Sequence, residues 1–192
     1  MFGRKFALRG AALVAALGLS LTLGSGTAHA VTISPGGPFS GTSGTFSIGT
    51  PPAGLACSSS HITGNFLSSP IGGQIGTATP SMFSGCVAYG FPVSVTLTKS
   101  PWALYLTGVN PSNPNQFYGN ATGIGIKITG VGCTVSFVGS APLTWTNPNA
   151  LKFVGTAPTL TATAANCLGL INVGDTLPLT ASYTVSPPQI IT

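Results

Sequence analysis

Few side chains of the usual acid–base types occur in this sequence. After residue 30 they are three lysines, one aspartate and one histidine, namely Lys99, Lys127, Lys152, Asp175 and His61. His61 and Asp175 would form a Ser-His-Asp hydrolase triad if the fold brought them together around one serine. However, the chain has no Gly-x-Ser-x-Gly segment that would present such a serine. We therefore predict a protein that is not an enzyme and has no catalytic residue.

Asp175 and His61 also have simpler expected roles. Asp175 belongs to residues 172–176, whose composition predicts a turn in which an aspartate bonds to its own backbone. His61 is expected on the polar face of a strand. One carboxylate is too few for a strong calcium site, so we predict no metal and no cofactor.

Residues 1–30 have the three parts of a secretory signal peptide. The basic start, the apolar middle and the small-x-small cleavage site are residues 4–9, 11–24 and 28–30. The apolar part is too short for a transmembrane helix. We predict a cleaved signal peptide over 1–30 and one secreted domain over 31–192, with no transmembrane segment. Export by the general or the twin-arginine route stays open, since the basic pair is Arg4-Lys5.

Removing this leader changes the charge of the protein. Three lysines and one aspartate leave a net charge of +2, whereas the whole chain carries +5. Binding to nucleic acid needs several cations that release counterions from phosphates. Three scattered lysines do not provide them, so we predict no nucleic-acid partner.

The secreted part has the sequence pattern of β-structure. Gly, Pro, Thr and Ser are frequent, and the charged residues that favour helices are rare. Apolar and polar residues alternate with the period of two typical of half-buried strands over 93–98, 102–107, 124–129 and 179–186. We predict an all-β fold, an antiparallel β-sandwich or flattened barrel, with Trp102 and Trp145 in its core.

Four cysteines in an exported chain predict two disulfides, although three connectivities are open. A faint internal repeat, in which residues 54–57 and 75–78 are echoed by 130–133 and 154–157, favours one pairing. This pairing joins Cys57 to Cys86 and Cys133 to Cys167, with one disulfide in each of two pseudo-symmetric halves. The cysteines lack the Cys-x-x-Cys spacing of redox and metal sites, so their expected role is structural.

The longest loop signal, over residues 110–120, is the predicted contact site. Its Asn and Pro residues favour turns, and two aromatic residues follow. Loops that carry aromatic side chains often contact glycans or proteins. The candidate contact residues are Asn110, Asn115, Phe117 and Tyr118. The alternative is that Phe117 and Tyr118 pack into the sandwich.

Residues 167–175 (CLGLINVGD) and 183–187 (YTVSP) resemble a group of small exported proteins of actinobacteria with no assigned activity. The segments Gly54-Leu55-Ala56-Cys57 and Pro101-Trp102 are similar to that group as well. The resemblance covers most of the secreted part. It implies secretion and a disulfide-bonded β fold, and it brings no catalytic residue.

Three functional hypotheses follow. The first is a non-enzymatic extracellular protein that acts through contacts with a protein or glycan at the cell surface. Its nearly neutral, hydroxyl-rich faces and unpaired sheet edges would also permit self-association. The second is a glycan-binding module with Tyr105, Phe117 or Tyr118 as platforms. The third is a secreted protease inhibitor that presents a rigid, disulfide-braced loop.

Overall fold

The computed structural model describes residues 30–49, 54–157 and 159–192. These residues form antiparallel β-structure and no helix, which confirms the predicted all-β fold. Nothing in the described ranges is therefore a helix long and apolar enough to cross a membrane. The predicted signal peptide lies outside the described residues, apart from Ala30. The strands are β1 (Ala30–Val31), β2 (Ile33–Ser34), β3 (Gly37–Ile48), β4 (Leu55–Cys57), β5 (Ser59–Phe66), β6 (Ser69–Pro70), β7 (Gln74–Ser84), β8 (Val87–Ala88), β9 (Phe91–Lys99), β10 (Trp102–Asn110), β11 (Asn113–Gly130), β12 (Cys133–Thr146), β13 (Ala150–Phe153), β14 (Leu160–Asn166), β15 (Thr176–Leu177), β16 (Leu179–Ser186) and β17 (Ile190–Ile191).

Eight of these strands pair into a closed antiparallel ring. In ring order they are β11, β12, β13, β16, β3, β5, β7 and β10, and β10 pairs again with β11. The long hairpin of β11 and β12 is its largest pairing. Closure removes the free edges that these eight strands would otherwise present, so this part of the molecule is a flattened barrel.

The strands β3, β11 and β12 run beyond the ring into a second part, which we call the extension. There the last residues of β11 pair with β9, and the first residues of β12 pair with β14. The end of β3 pairs with β4, and β8 connects β4 to β9. The β11–β12 register shifts between Ala121 and Ile124, near the passage from ring to extension.

One hydrophobic core fills both parts. Trp102, Trp145, Phe153 and Tyr183 are among its largest fully buried side chains, so the predicted core position of both tryptophans is confirmed. Phe153 makes edge-to-face contacts with Trp102 and Tyr183, at ring-centre distances of 5.9 and 6.1 Å. Such contacts add to the stabilisation that burial of the rings provides.

The predicted alternating runs lie in strands β9, β10, β11 and β16, and β16 alternates strictly between buried and exposed residues. On β9 the apolar residues Val93, Val95 and Leu97 are only half-buried. This strand therefore covers the margin of the core and leaves part of its apolar face accessible.

Strands β2 and β17 close one end of the ring. Thr32 and Thr192 exchange backbone hydrogen bonds of 2.9 and 3.0 Å across this pair. Asn147, in the turn after β12, accepts hydrogen bonds from Trp145 Nε1 and from the Ile191 amide, and its Nδ2 donates to the Ile191 carbonyl. The side chain of Asn147 thus fastens β17 to the ring.

The two predicted disulfides, Cys57–Cys86 and Cys133–Cys167, are confirmed. The internal repeat that favoured them does not correspond to repeated structure. Cys57 ends strand β4, whereas Cys133 begins strand β12. Residues 75–78 lie in β7, whereas residues 154–157 form a turn. The expectation of two pseudo-symmetric halves is wrong, because the echoed segments take different structural positions.

Candidate functional site

His61 and Asp175, the two residues that a Ser-His-Asp triad would need, do not come together. His61 Nδ1 lies 2.8 Å from Ser81 Oγ, on the neighbouring strands β5 and β7. The carboxylate of Asp175 instead accepts a hydrogen bond from the Asn172 amide at 2.8 Å, and the Asp175 amide donates to the Asn172 carbonyl. Asp175 therefore closes its own turn, as its sequence context indicates. Within the described ranges, no three His, Cys, Asp or Glu residues group as a metal site.

The segment predicted as a contact loop is mostly strand. Only Pro111 and Ser112 separate β10 from β11, and Asn110 Oδ1 accepts the Ser112 amide at 2.9 Å. The expectation of a long loop is wrong, because asparagine side chains close the turn and the following residues pair in β11. Phe117 is buried in the core. Asn115 and Tyr118 are exposed, and they are the parts of the predicted contact site that a partner can reach.

The strongest candidate site lies at the opposite end of the β11–β12 hairpin. Three turns meet there around an open apolar cleft. The turns are Tyr89–Gly90 between β8 and β9, Val131–Gly132 between β11 and β12, and Leu168–Gly169 after Cys167. We call these three turns and their flanking residues the cleft end. The residues that line the cleft are Ala88, Tyr89, Phe91, Val93, Val131, Gly132, Cys133, Cys167, Leu168 and Leu170.

The turn residues expose large apolar side chains to solvent. Val131 is 87% and Leu168 is 85% exposed, and Phe91 and Leu170 are 62% and 55% exposed. Single exposed apolar residues are common on protein surfaces, whereas a contiguous group of them marks an interaction site. The four residues line one cleft and therefore form such a group.

Two turns of the cleft end hold a bulky residue in the left-handed backbone region. Tyr89 and Leu168 have φ of 51° and 52°, and they are the non-glycine residues with positive φ among those described. A glycine with positive φ follows each of them, which gives two-residue turns of type I′ geometry. Asn or Asp usually occupies the first position of such a turn. A tyrosine and a leucine there hold a disfavoured conformation, and such residues cluster at functional sites.

Covalent and hydrogen bonds fix the three turns against one another. The Cys133–Cys167 disulfide joins the base of the Val131 turn to the base of the Leu168 turn. Cys86, bound to Cys57, immediately precedes β8 and the Tyr89 turn. The Tyr89 hydroxyl donates to the Leu170 carbonyl at 3.3 Å. A ligand therefore meets a largely formed surface, and little conformational entropy is lost on binding.

A second, narrow apolar crevice lies beside the cleft and reaches the core of the extension. It shares Ala88, Tyr89 and Cys133 with the cleft, and residues from β11 and β12 line its inner side. The half-buried ring of Tyr89 thus stands between the two spaces.

The sequence contains a signal for this site that our predictions missed. Tyr89-Gly90, Val131-Gly132 and Leu168-Gly169 each place a bulky apolar residue directly before a turn glycine. Soluble proteins normally place a polar residue there. The pattern was visible, but only the folded structure brings three distant turns to one cleft.

The fold and the cleft define the class as an all-β, disulfide-bonded protein with an apolar cleft at one end. No protein-family model, curated protein or solved structure matches the chain. The resemblance to exported actinobacterial proteins stays a prediction.

Proposed function

We propose that this is a non-enzymatic extracellular protein that acts by contact, and that the cleft end makes the contact. The observation that carries the proposal is the pair of left-handed apolar residues, Tyr89 and Leu168, lining one cleft. The scarcity of acid–base side chains supports a binding role, and the two disulfides are consistent with an extracellular location.

The exposed side chains are large enough to drive binding. Complete burial of an aliphatic or aromatic side chain stabilises a complex by about 1.5–3 kcal/mol. The four side chains are 55–87% exposed, so burial of that surface contributes about 4–9 kcal/mol before the entropy of association is subtracted. This range suits a moderate, reversible contact at the cell envelope.

The test measures retention of the secreted protein on the envelope fraction of the producing cell. The variant pair Val131→Ser with Leu168→Ser should lower retention at least tenfold, since most of the exposed apolar area is removed. A matched control is Leu67→Ser with Ile190→Ser, two exposed apolar residues outside the cleft end. Equal retention of the test pair and the wild type would refute the proposal.

A second candidate function is glycan binding at the outer face of the ring. Tyr118 is exposed on β11, and the half-buried Tyr105 on β10 lies directly opposite Asn120. A tyrosine ring beside an amide is a suitable platform for a sugar. Glycan-array binding that disappears in Tyr118→Ala would favour this function. Phe117→Ala is not a useful variant, because Phe117 belongs to the core.

The third hypothesis, protease inhibition, receives less support. The disulfide-braced segment at Leu168 is a tight turn, in which the Leu170 amide donates to the Cys167 carbonyl at 2.9 Å. A substrate-like inhibitor needs an extended loop that pairs with the protease backbone.

A further inference from the structure

We propose that the cleft end inserts its three turns into the surface of a phospholipid bilayer. This inference rests on the proposed function, because it names the partner of the same surface. Val131 and Leu168 stand on turn tips with 87% and 85% of their surface exposed. A flat protein surface would cover one side of each tip. Acyl chains surround an inserted side chain on every side.

Two polar contacts of the cleft end are already made within the protein, which favours transfer to an apolar environment. None of the described residues that line the cleft is charged. The Tyr89 hydroxyl already donates to the Leu170 carbonyl, and the Leu170 amide to the Cys167 carbonyl. In lipid, backbone and side-chain polar groups must be satisfied within the protein. These bonds therefore lower the free energy needed to leave water.

The side chains behind the tips suit the headgroup layer. Thr129 and Ser94 are exposed next to the cleft end, and the exposed Lys127 lies four residues before Val131 on β11. Four residues of strand span about 13 Å, and interfacial segments bury their apolar side by about 5–10 Å. Lys127 then lies among the lipid phosphates, and the aromatic rings of Tyr89 and Phe91 lie near the interface that such side chains prefer.

The test is flotation with vesicles of phosphatidylcholine and phosphatidylglycerol in a 3:1 ratio. It uses the disulfide-intact protein collected from the medium, with its first residue read by mass spectrometry. The wild type should float with the vesicles, and Val131→Ser with Leu168→Ser should reduce the bound fraction at least tenfold. Leu67→Ser with Ile190→Ser should float like the wild type. Equal melting temperatures of the variants would show that the folds are intact.

The depth of insertion into the bilayer is measured by the fluorescence of Phe91→Trp. The native Trp102 and Trp145 do not report on it, because both are buried. The fluorescence of Phe91→Trp should shift to shorter wavelength and be quenched by brominated acyl chains. No flotation, or no quenching, would overturn the lipid proposal. If envelope retention still depends on Leu168 in that case, the proposed function stands with a protein or glycan as partner. A Leu168-dependent dimer in sedimentation without vesicle binding would assign the surface to a second copy. If neither assay depends on Leu168, both proposals are wrong.

Discussion

Leu168 combines an exposed apolar side chain with a backbone conformation that leucine disfavours. The left-handed region costs an ordinary residue about 1–2 kcal/mol, whereas asparagine tolerates it. We predict that Leu168→Asn raises the free energy of unfolding by about 1 kcal/mol and at the same time lowers binding at the cleft end. Urea unfolding and envelope retention measure the two effects.

Leu170→Asn is the matched control for this trade-off. Leu170 lines the same cleft but has no positive φ. Its replacement should lower binding without the gain in stability. A loss of stability in Leu168→Asn would show that the leucine side chain stabilises the fold, and the argument from backbone strain would fail.

Tyr183 and Ser60 form a hydrogen bond of 2.8 Å inside the core, between strands β16 and β5. Both residues are buried. Tyr183→Phe leaves the Ser60 hydroxyl without this partner, and an unsatisfied buried group costs about 1–3 kcal/mol. We predict a loss of this size in urea unfolding. The double variant Tyr183→Phe with Ser60→Ala should recover part of it, and full additivity of the two single losses would contradict the coupling.

The same tyrosine predicts a pH dependence of stability. Burial raises the pKa of Tyr183 from 10.0 to about 12, and the hydrogen bond with Ser60 opposes this rise only in part. The folded pKa lies above the unfolded value, so the contribution is complete below pH 10 and is lost as pH rises through about 12. The midpoint of urea unfolding should fall across this window, and less so in Tyr183→Phe. Identical pH profiles would contradict the assignment.

Among the strands, β17 is fastened by one side chain of the turn after β12, in addition to its pairing with β2. Asn147 makes three hydrogen bonds, one to Trp145 and two to Ile191. We predict that Asn147→Ala lowers the free energy of unfolding by about 2–3 kcal/mol and speeds amide exchange at Ile190–Ile191. Asn149→Ala is the control, because it lies in the same turn without such bonds. Unchanged exchange in Asn147→Ala would mean that the pairing with β2 and the apolar contacts of β17 are enough to hold it.

Where apolar and polar residues alternate regularly along the sequence, this alternation predicted the strands well. The run over 179–186 became β16 with strict alternation, because each apolar residue faces the core. Residues 113–120 were predicted as loop, since Asn and Pro disfavour strands in isolation. Their pairing with β10 and β12 outweighs that preference. Strand propensity depends on the residue and its neighbours in the sequence, whereas sheet pairing depends on strands that can be far away in the sequence.

The cleft end was beyond local prediction for the same reason. Tyr89, Val131 and Leu168 are far apart in the sequence, and in the sequence each alone is an ordinary apolar residue beside a glycine. The pairings of β8 with β9 and of β11 with β12, together with the Cys133–Cys167 disulfide, bring them together. The disulfide pairing itself was predictable, although the repeat behind it has no structural counterpart.

For the whole molecule, the two disulfides offer a matched comparison. They join residues 29 and 34 positions apart, so the chain-entropy model gives each about 4 kcal/mol. We predict similar losses of stability for Cys57→Ala with Cys86→Ala and for Cys133→Ala with Cys167→Ala. The second pair should lower binding more strongly, since it frees two of the three turns. If both variants bind equally under conditions in which both are folded, the Cys133–Cys167 disulfide is not needed to hold the cleft in its binding form.

The pairing of β3 with β16 bears on the order in which the molecule can assemble. The two partners are about as far apart as the sequence allows, with Ser40 opposite Ser186 and Ile48 opposite Leu179. A ribosome delivers the N-terminal strands first. The edge of β3 that pairs with β16 therefore stays unpaired until β16 has been synthesised, although β5 is available early for the other edge. A chaperone that masks this edge, or delivery through a pore that delays folding, would shield newborn chains from pairing with one another.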